Sequence, residues 1–431
     1  MITGIYVIVL FIFIILLISN MPIALCIGCT SLSYFLLLPD KRFLYLLPQT
    51  MFSGMNSFVL MAIPFFMLAG ELMNASGITD RIMNFAEKIS GNIRGALAYT
   101  NIIASFFFAG ITGAAVSDVS ALGSIEIPAM VKQGYDKPFS AAVTAASSLV
   151  GPIIPPSITM VVYGAIMGIS IAGLFAAGFL PGILFCLVDF IYVYYISKKR
   201  NYPKSEERRT LKGIVDSAKG AAFALVTPII IIGGILGGIF TPTEAAGVAV
   251  FYAFALERLI YKKLDIKAYK ELFLTSAVTC SKIFLIIAVA YTFKWILATL
   301  NVPAMIINFL MEISNNKWVA ITLVNVIMIF VGMFFETGAA NILFAPIFGP
   351  VMVALGFDPL HFGIVFIVNL CIGLATPPLG LCLYGACSIS GVKLEEISRE
   401  IFPFIILNIG VLCIITYFPA LTLWFPRMLG Y

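Results

Sequence analysis

The sequence predicts an all-α polytopic membrane protein built from two inverted repeats, each holding a re-entrant helical hairpin and a broken transmembrane helix. Three observations predict it: a composition that only lipid can solvate, apolar segments divided seven and seven by a charged stretch, and Thr-Gly and Pro-Pro signatures that recur at nearly one spacing. Of 431 residues, 61% are hydrophobic and 11% charged, and the mean hydropathy is +1.06. So few polar residues cannot cover a soluble surface. Continuous apolar runs in hydrocarbon are helical, because their backbone groups must be satisfied within the segment.

In order along the chain, apolar segments fall at 2–19, 21–38, 56–75, 96–111, 113–131, 139–170 and 171–196. The first, Met1 to Ser19, has neither a basic leader nor a small-residue cleavage site and reads as a retained helix. A basic stretch, Ser197 to Lys219, follows, with Lys198, Lys199, Arg200, Lys204, Arg208, Arg209, Lys212 and Lys219. After it come segments at 221–239, 242–256, 276–297, 318–336, 338–355, 360–390 and 401–425. The reading is a first repeat over 1–196 with hairpin 96–131 and broken helix 139–170, a linker over 197–219, and a second repeat over 220–431 with hairpin 318–355 and broken helix 360–390.

Thr112-Gly113-Ala114-Ala115 recurs as Thr337-Gly338-Ala339-Ala340, 225 positions on, and Gly151, Pro155 and Pro156 recur as Gly373, Pro377 and Pro378, 222 positions on. Each Thr-Gly separates two apolar segments of fewer than about 20 residues, the length a crossing needs, so each pair is expected to fold back without crossing. Each Pro pair sits in a segment of about thirty residues, and a proline costs about 3 kcal/mol in a helix interior, so a break in mid-membrane is expected there. Five crossings per half then invert the second half relative to the first. On that topology one face carries 20 of the 26 Lys and Arg residues. The positive-inside tendency makes that face cytoplasmic, with the linker on it, and puts both termini outside.

The tips and breaks offer oxygen ligands for a hard cation such as sodium. Thr112, Gly113, Ser117, Asp118, Ser147, Ser148, Gly151 and Pro155 form one candidate sodium site. Thr337, Gly338, Asn341, Asn369, Gly373, Thr376 and Pro377 form the other. Small residues also serve close helix packing, which accounts for the glycines and alanines but not for doubled prolines in mid-span. Positive helix amino ends at the same places suit an anionic substrate, with Thr112, Ser157, Thr337 and Thr376 as candidate contacts.

Ionisable residues inside apolar segments need a reason. Asp118 is the best carboxylate candidate, against capping of its helix or pairing with a base. Glu126 and Glu336 also fall in the hairpins. Lys294, beside Trp295, is expected to snorkel, and Lys282 lies inside a helix with no role assigned. Glu244 is expected to close a capping box with Thr241. Cys26, Cys29, Cys186, Cys280, Cys371, Cys382, Cys387 and Cys413 lack metal-type spacing and read as packing residues, and His361, the lone histidine, as a helix-end residue. No phosphate-binding loop appears, so energy is expected from an ion gradient or a partner.

Phe108 to Gly113, Ser117 to Ser124, Gly151 to Ser157, Thr241 to Ala246 and Gly373 to Pro378 closely resemble the large membrane subunit of tripartite ATP-independent periplasmic (TRAP) transporters. The resemblance spans nearly the whole chain in order. It implies the elevator fold of an ion-transporter superfamily in a bacterial inner membrane, with sodium as coupling ion. It further implies a small membrane subunit, a periplasmic substrate-binding protein, and a substrate such as a C4-dicarboxylate or sialic acid. Lipid is the partner of the outer surface, and no nucleic acid or transition metal is expected. The alternatives are a stand-alone sodium/divalent-anion symporter and, from another class, an intramembrane enzyme, which would need clustered His, Asp or Cys at one depth.

Overall fold

The computed structural model describes residues 2–19, 21–204 and 210–431; Met1, Arg208 and Arg209 lie outside the described residues. Within these the regular structure is helical, apart from one isolated bridge between Arg94 and Lys204. The helices before the basic stretch are α1 (Ile2–Ile18), α2 (Ile23–Leu37), α3 (Leu46–Met55), α4 (Ala62–Ala75), α5 (Ile78–Ser90), α6 (Ala96–Thr112), α7 (Ala115–Lys132), α8 (Lys137–Ser147), α9 (Ile158–Met167) and α10 (Ile171–Lys199). Those after it are α11 (Leu211–Leu236), α12 (Pro242–Leu256), α13 (Ile266–Thr299), α14 (Val302–Ile313), α15 (Lys317–Phe334), α16 (Thr337–Ala354), α17 (Pro359–Leu374), α18 (Leu381–Ser390), α19 (Leu394–Tyr417) and α20 (Ala420–Met428). Seven helical stretches among the described residues are long and apolar enough to cross a membrane: Phe58–Ala75, α10, α11, α13, α15, α16 and α19.

Both breaks form where the prolines stand. α8 ends at Ser147, a 3₁₀ turn covers Ser148–Val150, and α9 begins only after Ser157, whose Oγ accepts a hydrogen bond from Met160 N at 3.2 Å. α17 ends at Leu374 and α18 begins at Leu381, with Ala375 to Gly380 irregular. Residues before proline avoid the helical region, and proline cannot donate into the helix ladder.

The first pieces of the two broken helices form the centre of the core. Every residue from Phe139 to Ser147 of α8 and from His361 to Leu374 of α17 is buried. Helices apolar all round are interior helices. Others turn large side chains outward, such as Ile229 on α11, Phe251 on α12 and Phe273 on α13, as surfaces in lipid do. The second piece of each broken helix packs against the second arm of the opposite hairpin. α9 lies on α16, where Asn341 Nδ2 donates to Thr159 O at 2.8 Å, and α18 lies on α7.

The structure corrects the repeat register. Thr112 is the last residue of α6, whereas Thr337 is the first of α16. Their tetrapeptides are three residues out of step. The structural partners are Ala115 and Thr337 at helix starts, Gly134 and Gly356 at φ +92° and +84°, and Asp136 and Asp358 at N-cap positions, each 222 positions apart like the proline pairs. The Thr-Gly-Ala-Ala match is thus a similarity of composition at the tips, not of position.

Other expectations shift too. α13 begins ten residues before the expected 276, and α3, α5, α14 and α20 were not anticipated, being short, amphipathic or at segment ends. The basic stretch is not all linker: α10 runs through Lys199, its last turn carrying Lys198 and Lys199, a placement the negative helix end favours. Lys294 does not snorkel. Its Nζ donates to Ile166 O at 2.7 Å, satisfying a carbonyl in the last turn of α9. Thr241 and Glu244 form the expected capping box. His361, buried three residues into α17, shares a 2.8 Å hydrogen bond between Nδ1 and Thr422 Oγ1.

Candidate ion and substrate site

The two tips reach the two breaks at one level of the bundle. α6 and α7 are joined by Gly113 and Ala114; α15 and α16 by Phe335 and Glu336. Gly113 has φ +63°, and a Cβ there would stand 2.5 Å from Pro156 O and 3.1 Å from Ile158 N, so only glycine lets the first tip touch its break. In the second half Gly380 N donates to Met333 O at 3.1 Å, and Gly332 and Gly373 pack backbone to backbone.

A cavity of about 390 Å³ lies between them. Four helices begin at its wall, α7 at Ala115, α9 at Ile158, α16 at Thr337 and α18 at Leu381. Each amino end contributes a partial positive charge of about half a unit and unsatisfied N–H groups. α4 and α13 close the opposite side with Glu71, Asn74, Thr279 and Lys282. A second, more polar cavity shares Glu71, Asn74, Val116 and Ser117 with the first and continues along Ser120 and Ser124 toward the α4–α5 turn at Gly77.

Of the residues expected at the first sodium site, Thr112, Gly113 and Ser117 line the cavity and Asp118 lies directly behind them. Asp118 does not cap α7, whose N-cap is Ala114, and among the described residues it meets no basic side chain. Thr112 Oγ1 donates to its Oδ1. Its Oδ2 has no partner and abuts Gly151, where a Cβ would be 2.6 Å away. Ser148 Oγ donates to Ala145 O at 2.8 Å. Ser147 Oγ donates to Asn101 Oδ1 at 2.7 Å, in a cluster with Ser105 and Thr144 that ties α6 to α8. Pro155 is buried in the break, and Ser157 spends its hydroxyl on capping and on Pro152 O at 2.6 Å.

Of the second set, Thr337 and Gly338 line the cavity, whereas Asn341, Asn369, Gly373, Thr376 and Pro377 stand behind or beside it. Asn369 Nδ2 donates to Asn325 Oδ1 at 3.0 Å, tying α17 to α15 as Ser147 and Asn101 tie α8 to α6. Asn341 Oδ1 and Asn369 Oδ1 have no partner. Thr376 Oγ1 donates to Ile372 O at 2.6 Å. Glu336 caps α16, accepting from Ala339 N at 3.1 Å and from Thr337 Oγ1 at 3.1 Å.

A buried carboxylate oxygen without a donor is costly unless a cation or proton completes it. Asp118 Oδ2 is such an oxygen, and the amide oxygens of Asn341 and Asn369 are likewise without a donor among the described residues. Sequence reasoning missed Glu71 and Asn74 and gave Lys282 no role. The signal for Lys282 was present, since it interrupts an otherwise apolar run, but its wall could not be located without the fold.

A helical, multi-pass bundle whose hairpin tips meet helix breaks around a central cavity is the architecture of a membrane permease. The crystal structure of the Alcanivorax borkumensis YdaH transporter shares this fold, with a TM-score of 0.61 over 89% of this chain and 90% of that one at 13% identity. The family described as tripartite ATP-independent periplasmic transporter, DctM component, matches residues 10–421. The chain is 39% identical over 420 residues to the sialic acid TRAP transporter large permease protein SiaM of Vibrio cholerae, covering 96% of this chain and 97% of that protein. It is 36% identical over 380 residues to the C4-dicarboxylate TRAP transporter large permease protein DctM of Pseudomonas aeruginosa, covering 88% and 89%. The chain belongs to the DctM family of TRAP transporter large permeases.

Proposed function

We propose that this permease is the large subunit of a sodium-driven importer of a small organic acid anion, resident in the bacterial inner membrane. The observation that carries the reading is the convergence of both hairpin tips and both helix breaks at one cavity, with the unpartnered Asp118 Oδ2 directly behind its wall. Sodium would bind behind the cavity wall, at Asp118 and the first break and at Asn341 and Asn369 in the second. The acid would enter the cavity, where helix amino ends favour its negative charge. The hairpins and broken helices would move together as an elevator against the remaining helices.

The partners are a small membrane subunit and a periplasmic substrate-binding protein, in keeping with the family. The halves, 1–196 and 220–431, are inverted about a cytoplasmic basic stretch with both termini periplasmic, supported by 20 of 26 basic residues on one face of that topology. The related permeases name sialic acid and C4-dicarboxylates as the acid classes from which the substrate would come.

Uptake of labelled organic acids into proteoliposomes holding all three components tests the proposal. An inward sodium gradient is expected to drive uptake, and each net charge moved should add about 2.3 kcal/mol per 100 mV. Undiminished uptake on a proton gradient in sodium-free buffer would overturn it.

A further inference from the structure

We propose that Lys282 is the counter-charge for the substrate, and that together with Glu71 and Glu336 it restricts the cavity to acids carrying one negative charge and hydroxyl groups. The inference rests on the transporter reading above and narrows its substrate class.

Lys282 stands at the middle of the 34-residue α13 and is the one basic side chain on the cavity wall. Among the described residues it makes no ion pair, either with Glu71 or with Glu336 across the cavity. Lys282 is exposed within the apolar segment 276–297, and an ammonium in such a segment is retained where it faces a cavity or meets a functional ion. Lys294, twelve residues on, is by contrast already spent on Ile166 O. Lys282 is therefore the side chain on this wall left to meet a carboxylate.

The other charges limit how many carboxylates fit. The amino end of α16 is compensated by the Glu336 cap. Glu71 adds another acidic side chain to the cavity wall. A short dianion would set its second carboxylate against acidic side chains with no second base. Hydroxyl groups instead find acceptors in Glu71, Asn74 and Thr279. The volume, about 390 Å³, accommodates a sugar acid.

The test is binding to the purified membrane complex in sodium-containing detergent, read as the ligand-dependent rise in melting midpoint. The probes are monoanions (N-acetylneuraminate, gluconate, isethionate) and dianions (succinate, malate). A hydroxylated monoanion is expected to bind with the lowest half-saturating concentration. Lys282→Gln should raise that concentration about tenfold or more, since it removes the basic side chain on the cavity wall that faces the carboxylate. Lys282→Arg should stay within about threefold. The ligand-free midpoint of Lys282→Gln should not fall, because the ammonium makes no ion pair among the described residues. Glu71→Gln should improve the response to succinate relative to the monoanions. Unchanged monoanion binding by Lys282→Gln, or tighter binding of dianions by the unaltered complex, overturns the inference while leaving the transporter reading intact. Failure of every acid to bind or be taken up by the unaltered complex overturns the transporter reading, and this inference with it.

Discussion

The two hairpin tips hold equivalent places in the two halves and differ in both backbone and chemistry. At the first, Gly113 and Ala114 make a tip of small residues pressed onto a break in which Pro155, Pro156 and Ser157 are all buried, and a fully buried carboxylate, Asp118, keeps one oxygen unclaimed. At the second, Phe335 and Glu336 make the tip, the carboxylate caps its own helix, and the break is open, with Pro378 and Leu379 exposed. A carboxylate already accepting from an amide and a hydroxyl has less need of a cation than one buried with an empty lone pair. The difference teaches that the halves are equal as scaffolds and unequal as ligands. On the proposed sodium coupling, the first would hold the ion by formal charge and the second by neutral oxygens.

The largest expected effect therefore belongs to Asp118. Asp118→Asn should raise the sodium concentration for half-maximal uptake by about tenfold or more, while the melting midpoint in sodium-free detergent holds or rises, because an uncompensated buried charge has been removed. Sodium titration of uptake beside a melting curve reads both. A sodium dependence identical to the unaltered protein would break the comparison at its root.

The prolines come next, and burial separates them. Replacing Pro155 and Pro156 with alanine empties buried ring volume and should lower stability by about 1–3 kcal/mol as well as weaken sodium dependence. The same change at Pro377 and Pro378, half-buried and exposed, should cost under about 1 kcal/mol and affect sodium dependence less. Equal losses at the two breaks would mean that both are packing devices.

Glycines sharpen the contrast in backbone terms. Gly113→Ala forces a side chain into positive φ and against Pro156 O, costing about 1–3 kcal/mol. Gly338→Ala lies inside α16, where the atoms nearest the new Cβ belong to the Glu336 carboxyl group, from 2.9 Å, the end of a side chain and not backbone. It should change stability by less than about 1 kcal/mol. Melting midpoints of the two variants decide whether the matching tetrapeptides occupy different positions.

The smallest effect is expected at Glu336. Glu336→Gln keeps an acceptor for Ala339 N and loses only the charge at the helix amino end, about 0.3–1 kcal/mol. Its sodium half-saturation should move by less than about threefold. A shift as large as that of Asp118→Asn would make the two tips chemically equivalent after all.

What the sequence determined by itself was whatever depends on counting and on local chemistry. Apolar run lengths set the helical, lipid-solvated class; doubled prolines set the breaks; Thr241, Pro242 and Glu244 set a helix start that formed as read. Asp118 was legible as a charge too costly to be idle. The tertiary structure decided everything that depends on which surfaces meet. It moved the repeat register to 222 because a tip is defined by where two helices end, and a similar tetrapeptide can end one or begin the other. It turned Lys294 onto a helix carbonyl, since a long side chain in a bundle takes the nearest acceptor rather than the distant interface. It also placed Lys282, Glu71 and four helix amino ends around one cavity, a juxtaposition of residues more than two hundred positions apart that no local pattern records, because cavities are made by packing and not by sequence neighbours.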